Sequence, residues 1–216
     1  MKRVNLIRRK PGTTREAFQD YYENNHAPLG SRYFPFEWYR RNHLVASIPE
    51  DVGFDVVMEN AIDIELRKRT FTAEVDKIFA ADEARFMNAP PRPAGVQVVE
   101  HLLTGFPQGV DRPGQPKAAW LISADGIDQV DFVEAAKGWG LQLAAQTNAE
   151  RSILDVVTFR NEGTLFTADA LLTLWLSESR MPKSSKPPKG VKVQAQLLMA
   201  AYETPPEVLK ANFGKH

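Results

Sequence analysis

Tyr22-Glu23-Asn24-Asn25-His26-Ala27-Pro28-Leu29, residues 22–29, is the stretch on which the reading of this chain turns. A helical start precedes it. Pro11-Gly12 makes a turn, and Thr13 with Glu16 three positions later has the form of a capping box. Phe18, Tyr21 and Tyr22 then recur at helical spacing and give the segment one apolar face. His26 lies four residues beyond Tyr22 and continues that face. Pro28 cannot extend a helix, and the residue before a proline is pushed out of helical geometry. The spacing therefore predicts a helix that stops near His26, with the imidazole against the core beside unpaired carbonyls and a loop mouth. Such a histidine either caps those carbonyls or does acid–base work.

The composition narrows the class. Of 216 residues, 43% are apolar and 25% charged, which suits one soluble globular domain or two small ones. Lys+Arg and Asp+Glu balance at 27 each, so no bulk field attracts nucleic acid or anionic lipid. The basic cluster at 183–189 is interleaved with Ser and Pro and reads as a loop. The absence of cysteine removes disulfides, thiolate nucleophiles and cysteine metal sites, and it fits a reducing compartment. The start of the chain has no apolar signal segment, and no apolar run approaches the roughly 20 residues that span a bilayer. A cytoplasmic protein with no membrane partner is expected.

Outward from the opening stretch, residues 4–8 read as a strand and 29–36 as an aromatic-rich loop. Residues 37–45 read as a strand with Tyr39, Arg41 and His43 on one face and Trp38, Arg40, Asn42 and Leu44 on the other. Residues 54–58 form a third strand. A broken helix over 64–87 follows, its inner face marked by Phe71, Val75, Ile78, Phe79, Asp82 and Phe86, with Asp82 the one polar member. Prolines at 90–93 end it, and 97–103 is a fourth strand. The order is βαββαβ, the ferredoxin-like arrangement. After a turn-rich linker the order restarts: a strand at 118–123, a helix at 130–146 weakened by Gly138 and Gly140, and strands at 153–159, 171–176 and 191–202. A Pro/Ser/Lys-rich stretch, 179–190, stands where the second helix should be. The expectation is an α+β fold of two ferredoxin-like units with antiparallel sheets, at 1–104 and, truncated, at 118–204. A linker at 105–117 and a tail at 205–216 complete the chain. Helices cover one side of each sheet, so the units pack sheet to sheet into a barrel or pair with another copy. The enclosed space would be lined by the strand faces that do not meet helices.

The Tyr39, Arg41 and His43 face is polar enough to belong in water or a pocket rather than under helices. With His26 it offers two imidazoles and a phenol for chemistry near neutral pH. Tyr22, Phe34, Phe36 and Trp38 would wall a flat ligand. The plainer alternative is an exposed edge strand. His26, His43 and His101 show no His-x-x-x-His or His-Glu-x-x-His spacing, so no metal is expected. No Gly-x-Gly-x-x-Gly, phosphate loop or Gly-x-Ser-x-Gly elbow occurs, which argues against nucleotide cofactors and a serine nucleophile.

The run of residues 6–12 ending in Pro11-Gly12, then Glu16-x-Phe18, then Tyr22 through His26-Ala27-Pro28-Leu29, resembles the EthD-like family of the dimeric α+β barrel superfamily. Tyr39-Arg40-Arg41-Asn42-His43, Asp82-Glu83-Ala84-Arg85-Phe86 and Val99-Glu100-His101 are similar to its later segments, so the resemblance covers about residues 3–103. It implies small dimeric barrels of ferredoxin-like units, in a superfamily of cofactor-independent isomerases, cyclases, decarboxylases and monooxygenases that also holds haem enzymes. Carried over by position, it puts His26 and the Tyr39/His43 strand in or beside a pocket. The second half has no His-Ala-Pro, so the first half would carry the chemistry.

The combined expectation is a cofactor-independent lyase, isomerase or cyclase acting on a small aromatic or cyclic hydrophobic compound, as a homodimer. Alternatives are a cofactor-free monooxygenase on a phenol and a non-catalytic ligand-binding protein. His26, Tyr39 and His43 are the catalytic candidates. Tyr22, Tyr33, Phe36, Trp38, Arg41, Asn42, Phe86 and His101 are the substrate-binding ones. Asn42 and His43 point to opposite sides of their strand, and His43 is the one expected to line the barrel.

Overall fold

In a computed structural model, which describes residues 1–88, 95–106, 110–183 and 185–215, the opening stretch does not end a helix. After strand β1 (Lys2–Ile7), helix α1 (Arg15–Tyr21) is capped by Thr14 rather than Thr13, its side chain accepting from Ala17 N–H. A π-helical turn (Tyr22–His26) then runs without a break into α2 (Ala27–Tyr33). The Ala27 N–H reaches back five residues to the Tyr22 carbonyl, so the turn holds one extra residue. That slack lets the helix continue through Pro28, in the first turn of α2, despite the N–H that a proline lacks. Most of the expected aromatic loop at 29–36 is therefore helix.

Strand β2 (Phe36–Ile48) and β3 (Val56–Ile62) follow, then α3 (Ile64–Thr70) and α4 (Ala73–Phe86), the two pieces of the expected broken helix, and β4 (Val96–Thr104). The expected stop at 90–93 lies outside the described residues. The second unit comprises β5 (Gln115–Ala124), α5 (Gln129–Thr147), β6 (Arg151–Arg160), β7 (Ala170–Trp175) and β8 (Val191–Thr204). Strand β5 begins inside the expected linker. The expected tail contains α6 (Pro206–Asn212), which packs on β2 and α2.

The eight strands close into one antiparallel barrel in the order β1-β3-β2-β8-β5-β7-β6-β4. Each unit contributes a ferredoxin-like four, and the seams are β2 with β8 and β4 with β6. The barrel is thus completed within one chain. Its interior is filled: Val4, Leu6, Val57, Val98, Leu171 and Leu197 belong to one apolar cluster there. The remainder of the interior is a network of ion pairs. Outside, α5 covers the second unit through Phe132, Trp139 and Leu143 against Trp120, Leu154 and Leu172. Among the described residues no second helix covers this unit, and Met181 of the loop before β8 packs against the same cluster. The helices of the first unit stand further off their sheet and leave a cavity.

Candidate active site

The cavity encloses about 370 Å³ between the outer face of β1, β3 and β2 and the π-turn with helices α2 to α4. That volume is in the range of small-molecule sites, about 300–1,000 Å³. All its lining residues lie between Arg3 and Met87. Cross-strand register sets the floor. Tyr39 of β2 faces Asn60 of β3, which faces Arg3 of β1, so three polar side chains form one row. The next row includes Met58 and Asn5. Phe34, Phe36, Phe71 and Phe79 supply aromatic walls. Phe36 lies flat on Tyr39, with centroids 4.4 Å apart.

His26 lines this cavity from the π-turn, and its Nδ1 lies 2.7 Å from Asp82 Oδ2 on α4. The Tyr21 hydroxyl donates to the other carboxylate oxygen at 2.8 Å. Burial alone would raise Asp82, but the hydrogen bonds from His26 and Tyr21 outweigh it and hold the carboxyl below its usual range. An ionised Asp82 accepts from Nδ1–H, which leaves Nε2 as the ring nitrogen that can exchange a proton with a ligand. Phe86, 4.9 Å from the imidazole, and Phe79, edge-on at 6.0 Å, fix its plane. Glu83, one residue past Asp82, also lines the cavity. Burial and the Asp82 charge push it up to about 7.

Two phenols come next, Tyr22 lying edge-on to His26 with centroids 5.0 Å apart. Tyr39 donates to the Tyr22 hydroxyl at 3.2 Å. Burial pushes Tyr39 up to about 12, although Arg41 lies 4.7 Å over its ring and favours the phenolate. Burial, with Tyr39 beside it, raises Tyr22 well above its ordinary value. Both phenols keep their protons at neutral pH.

The other expected residues lie elsewhere. Arg41 and His43 share a face with Tyr39, yet that face packs against the helix. Glu23 of the π-turn makes this possible. It meets His43 Nε2 at 2.7 Å and Arg41 Nη2 at 2.6 Å, and these partners hold its carboxyl low against the burial that would raise it. His43 lies edge-on to Phe18 and Tyr22, behind the cavity wall, and not inside the barrel. Asn42 is the one that points into the barrel, where Lys117 Nζ donates to its Oδ1 at 3.0 Å. Trp38 faces the same interior under the Arg40 guanidinium. His101 lies on the outer face of β4 near Glu134 and Lys137 of α5, and burial with the Lys137 charge lowers its pKa. Tyr33 and Phe86 back the wall through contacts to Phe79 and His26 without lining the cavity. The cavity therefore gathers His26, Tyr39, Tyr22 and Phe36 of the expected set. It adds Glu83, Asn5, Asn60 and Arg3, with Asp82 behind His26. Asp82 had a signal in the sequence, as the one polar residue on an otherwise apolar helix face. Among the described residues no three metal-ligating side chains gather.

No curated protein matches this chain. Two solved structures share its fold across most of their length. An anthrone oxidase-like protein has a TM-score of 0.56 at 8% identity, covering 94% of this chain and 92% of that one. A proposed monooxygenase from Fusobacterium nucleatum subsp. nucleatum has a TM-score of 0.52 at 10% identity, with the same coverage. The family model of the EthD domain matches residues 10–90. That segment supplies His26, Asp82 and most of the cavity wall, and over it the chain is similar to the EthD family.

Proposed function

We propose that this protein is a small-molecule enzyme in which His26 removes a proton from a flat aromatic or otherwise cyclic hydrophobic compound. The observation that carries this reading is the His26–Asp82 pair opening into an aromatic-walled cavity. A carboxylate on Nδ1 fixes the tautomer and stabilises the imidazolium that forms when Nε2 takes a proton. The proton would come from a phenol or from carbon next to a carbonyl. Tyr39 donates its one hydroxyl proton to Tyr22, so the Tyr22 hydroxyl would be the donor to the resulting oxyanion, supported from behind by Tyr39. Glu83, poised near 7, is suited to return a proton at a second position. Return to carbon gives an isomerase, lyase or cyclase. Transfer of the anion's electrons to dioxygen gives an oxygenase. The names of the two structures that share the fold favour testing that second outcome directly.

The test uses 2-naphthol as a probe, since its ionisation shifts its absorbance. The wild type should ionise bound 2-naphthol at a lower pH than free solution does. The His26→Ala variant should bind it equally well without that shift. A companion screen of phenols, lactones and anthrone-like compounds should be run with an oxygen electrode, and uptake that depends on His26 selects the oxygenase. Bound naphthol with identical ionisation in both proteins would sink the base reading in favour of a ligand-binding protein.

A further inference from the structure

Arg3 and Asn60 share the floor row of Tyr39, two rows along the sheet from Ile7. Ile7 packs in one cluster with Tyr22 and Phe86, the rings that flank His26. Arg3 is four residues back along β1, roughly 13 Å at about 3.3 Å per residue. Among the described residues Arg3 has no carboxylate partner, and it is the neighbour of Asn60 across the strands. Asn60 is only 3% exposed, yet its amide oxygen has no hydrogen-bond partner. Its amide nitrogen meets only the thioether of Met58, at 2.8 Å. A thioether is a weak acceptor. A buried amide left this way is costly, and such groups in native proteins call for an explanation.

The acidic groups of the cavity, Asp76 and Glu83, both belong to α4 and not to the strand floor. Asp76 is already engaged within the protein, as is Arg67, which lies over the rings of Phe34 and Phe71 beside this end. The floor thus ends in a guanidinium and an amide whose bonding capacity is unspent, while the other end holds the proton-accepting histidine. Aromatic rings line the space between. That is a two-ended template.

Resting on the reading of His26 as the base, we propose that the cavity selects an elongated aromatic acid. Its carboxylate is held by Arg3 with the Asn60 amide, and its ionisable hydroxyl or C–H lies beneath His26. The guanidinium supplies forked donors that match a carboxylate. The Asn60 amide nitrogen exchanges a sulfur acceptor for an anionic oxygen by turning about its terminal torsion, which has a broad energy profile, and the amide oxygen, which a carboxylate cannot satisfy, would accept from the neighbouring Arg3 guanidinium. No atom in this handle takes part in the chemistry. Its contribution is affinity and orientation.

The probes are 6-hydroxy-2-naphthoate, which carries a carboxylate and a hydroxyl at opposite ends of the fused ring, and 2-naphthol, which lacks the carboxylate. Affinities are measured by titration calorimetry. The wild type should bind the hydroxynaphthoate about tenfold to a hundredfold more tightly, as one charge-assisted pair implies. Arg3→Met should abolish that preference and leave 2-naphthol binding unchanged. Asn60→Leu should weaken only the acid while leaving the melting temperature unchanged or higher, an effect that a purely structural asparagine would not give. If Arg3→Met fails to fold, Arg3→Gln serves in its place. Equal affinity for the two probes in the wild type, or a preference that survives the Arg3 substitution, overturns the proposal. The two readings separate cleanly. Loss of acid preference with intact His26-dependent ionisation removes only the substrate class, and the reverse removes only the base.

Discussion

The oxygen that orients His26 comes from Asp82, 56 positions further along the chain and on another helix. Replacing that carboxylate by its amide isolates what it contributes. Asp82→Asn keeps the shape and one hydrogen bond to Nδ1, but it removes the negative charge that stabilises the imidazolium. A charge-assisted hydrogen bond in a buried site contributes about 1.5–3 kcal/mol, so ionisation of bound 2-naphthol should move up by about one to two pH units. Binding of the neutral phenol should be unaffected, because the aromatic walls are untouched. Spectrophotometric titration of the bound probe measures both. An unchanged ionisation curve would mean that Asp82 only positions the ring. A similar lesson runs through Glu23. Parity along β2 showed that Tyr39, Arg41 and His43 share a face, and their polarity pointed to water. What lets Arg41 and His43 be buried is a carboxylate on a different element, and no local reading of the strand reveals it.

Among the elements, the alternation of apolar residues within each strand and the helical spacing of Phe18 and Tyr22 are local patterns, and the order of strands and helices was legible from them. The continuation through Pro28 was not. A proline forbids one hydrogen bond, but a π-turn can absorb that loss when packing rewards a longer helix. Here Tyr22 and His26 bracket Phe86 from consecutive turns, and that contact exists only in the folded chain. Glycine reading failed in the opposite direction. Gly138 and Gly140 looked like weak points of α5, yet the helix runs unbroken through both. They differ in environment. A Cβ on Gly138 meets nothing within 4 Å, whereas one on Gly140 would lie 2.5 Å from Leu103 Cδ1 and 2.8 Å from Leu172 Cδ1. Gly138→Ala should therefore stabilise the protein by about 0.5–1 kcal/mol through helix propensity. Gly140→Ala should offset that same gain by about 1–3 kcal/mol of overpacking, and so come out neutral or destabilising. Chemical denaturation of the two variants side by side checks the contrast, which vanishes if α5 does not lie this close to β4 and β7.

At the scale of the whole molecule, the two units are joined by charge as well as by sheet. Lys2 of the first unit pairs with Asp155 of the second at 2.8 Å and with Glu59 of its own unit at 2.9 Å. Arg40 pairs with Glu203 at 3.0 Å and Asp111 at 2.6 Å, and Lys117 also meets Asp111. Burial, reinforced by Glu59 and only partly countered by Lys2, pushes Asp155 up to about 7. Burial and the Arg40 charge pull Lys117 down to about 7 against the attraction of Asp111 and Glu59. The signs follow from proton counting. Between the ordinary carboxylate value of 3.8 and about 7, the folded chain keeps the Asp155 proton that the unfolded chain has lost. Stability from this group therefore falls as pH rises through that window. Between about 7 and the ordinary lysine value of 10.5, the unfolded chain holds the Lys117 proton that the folded chain has released. Stability from that group rises with pH there. Melting curves at fixed ionic strength should show it by difference. Asp155→Asn should gain on the wild type as pH climbs from about 4 to about 7, because the amide has no proton to lose. Lys117→Met should fall behind the wild type from about 7 to about 10, where the wild type alone improves. Difference curves that stay flat with pH would mean that these two groups titrate normally, and that the barrel interior is wet enough to solvate them.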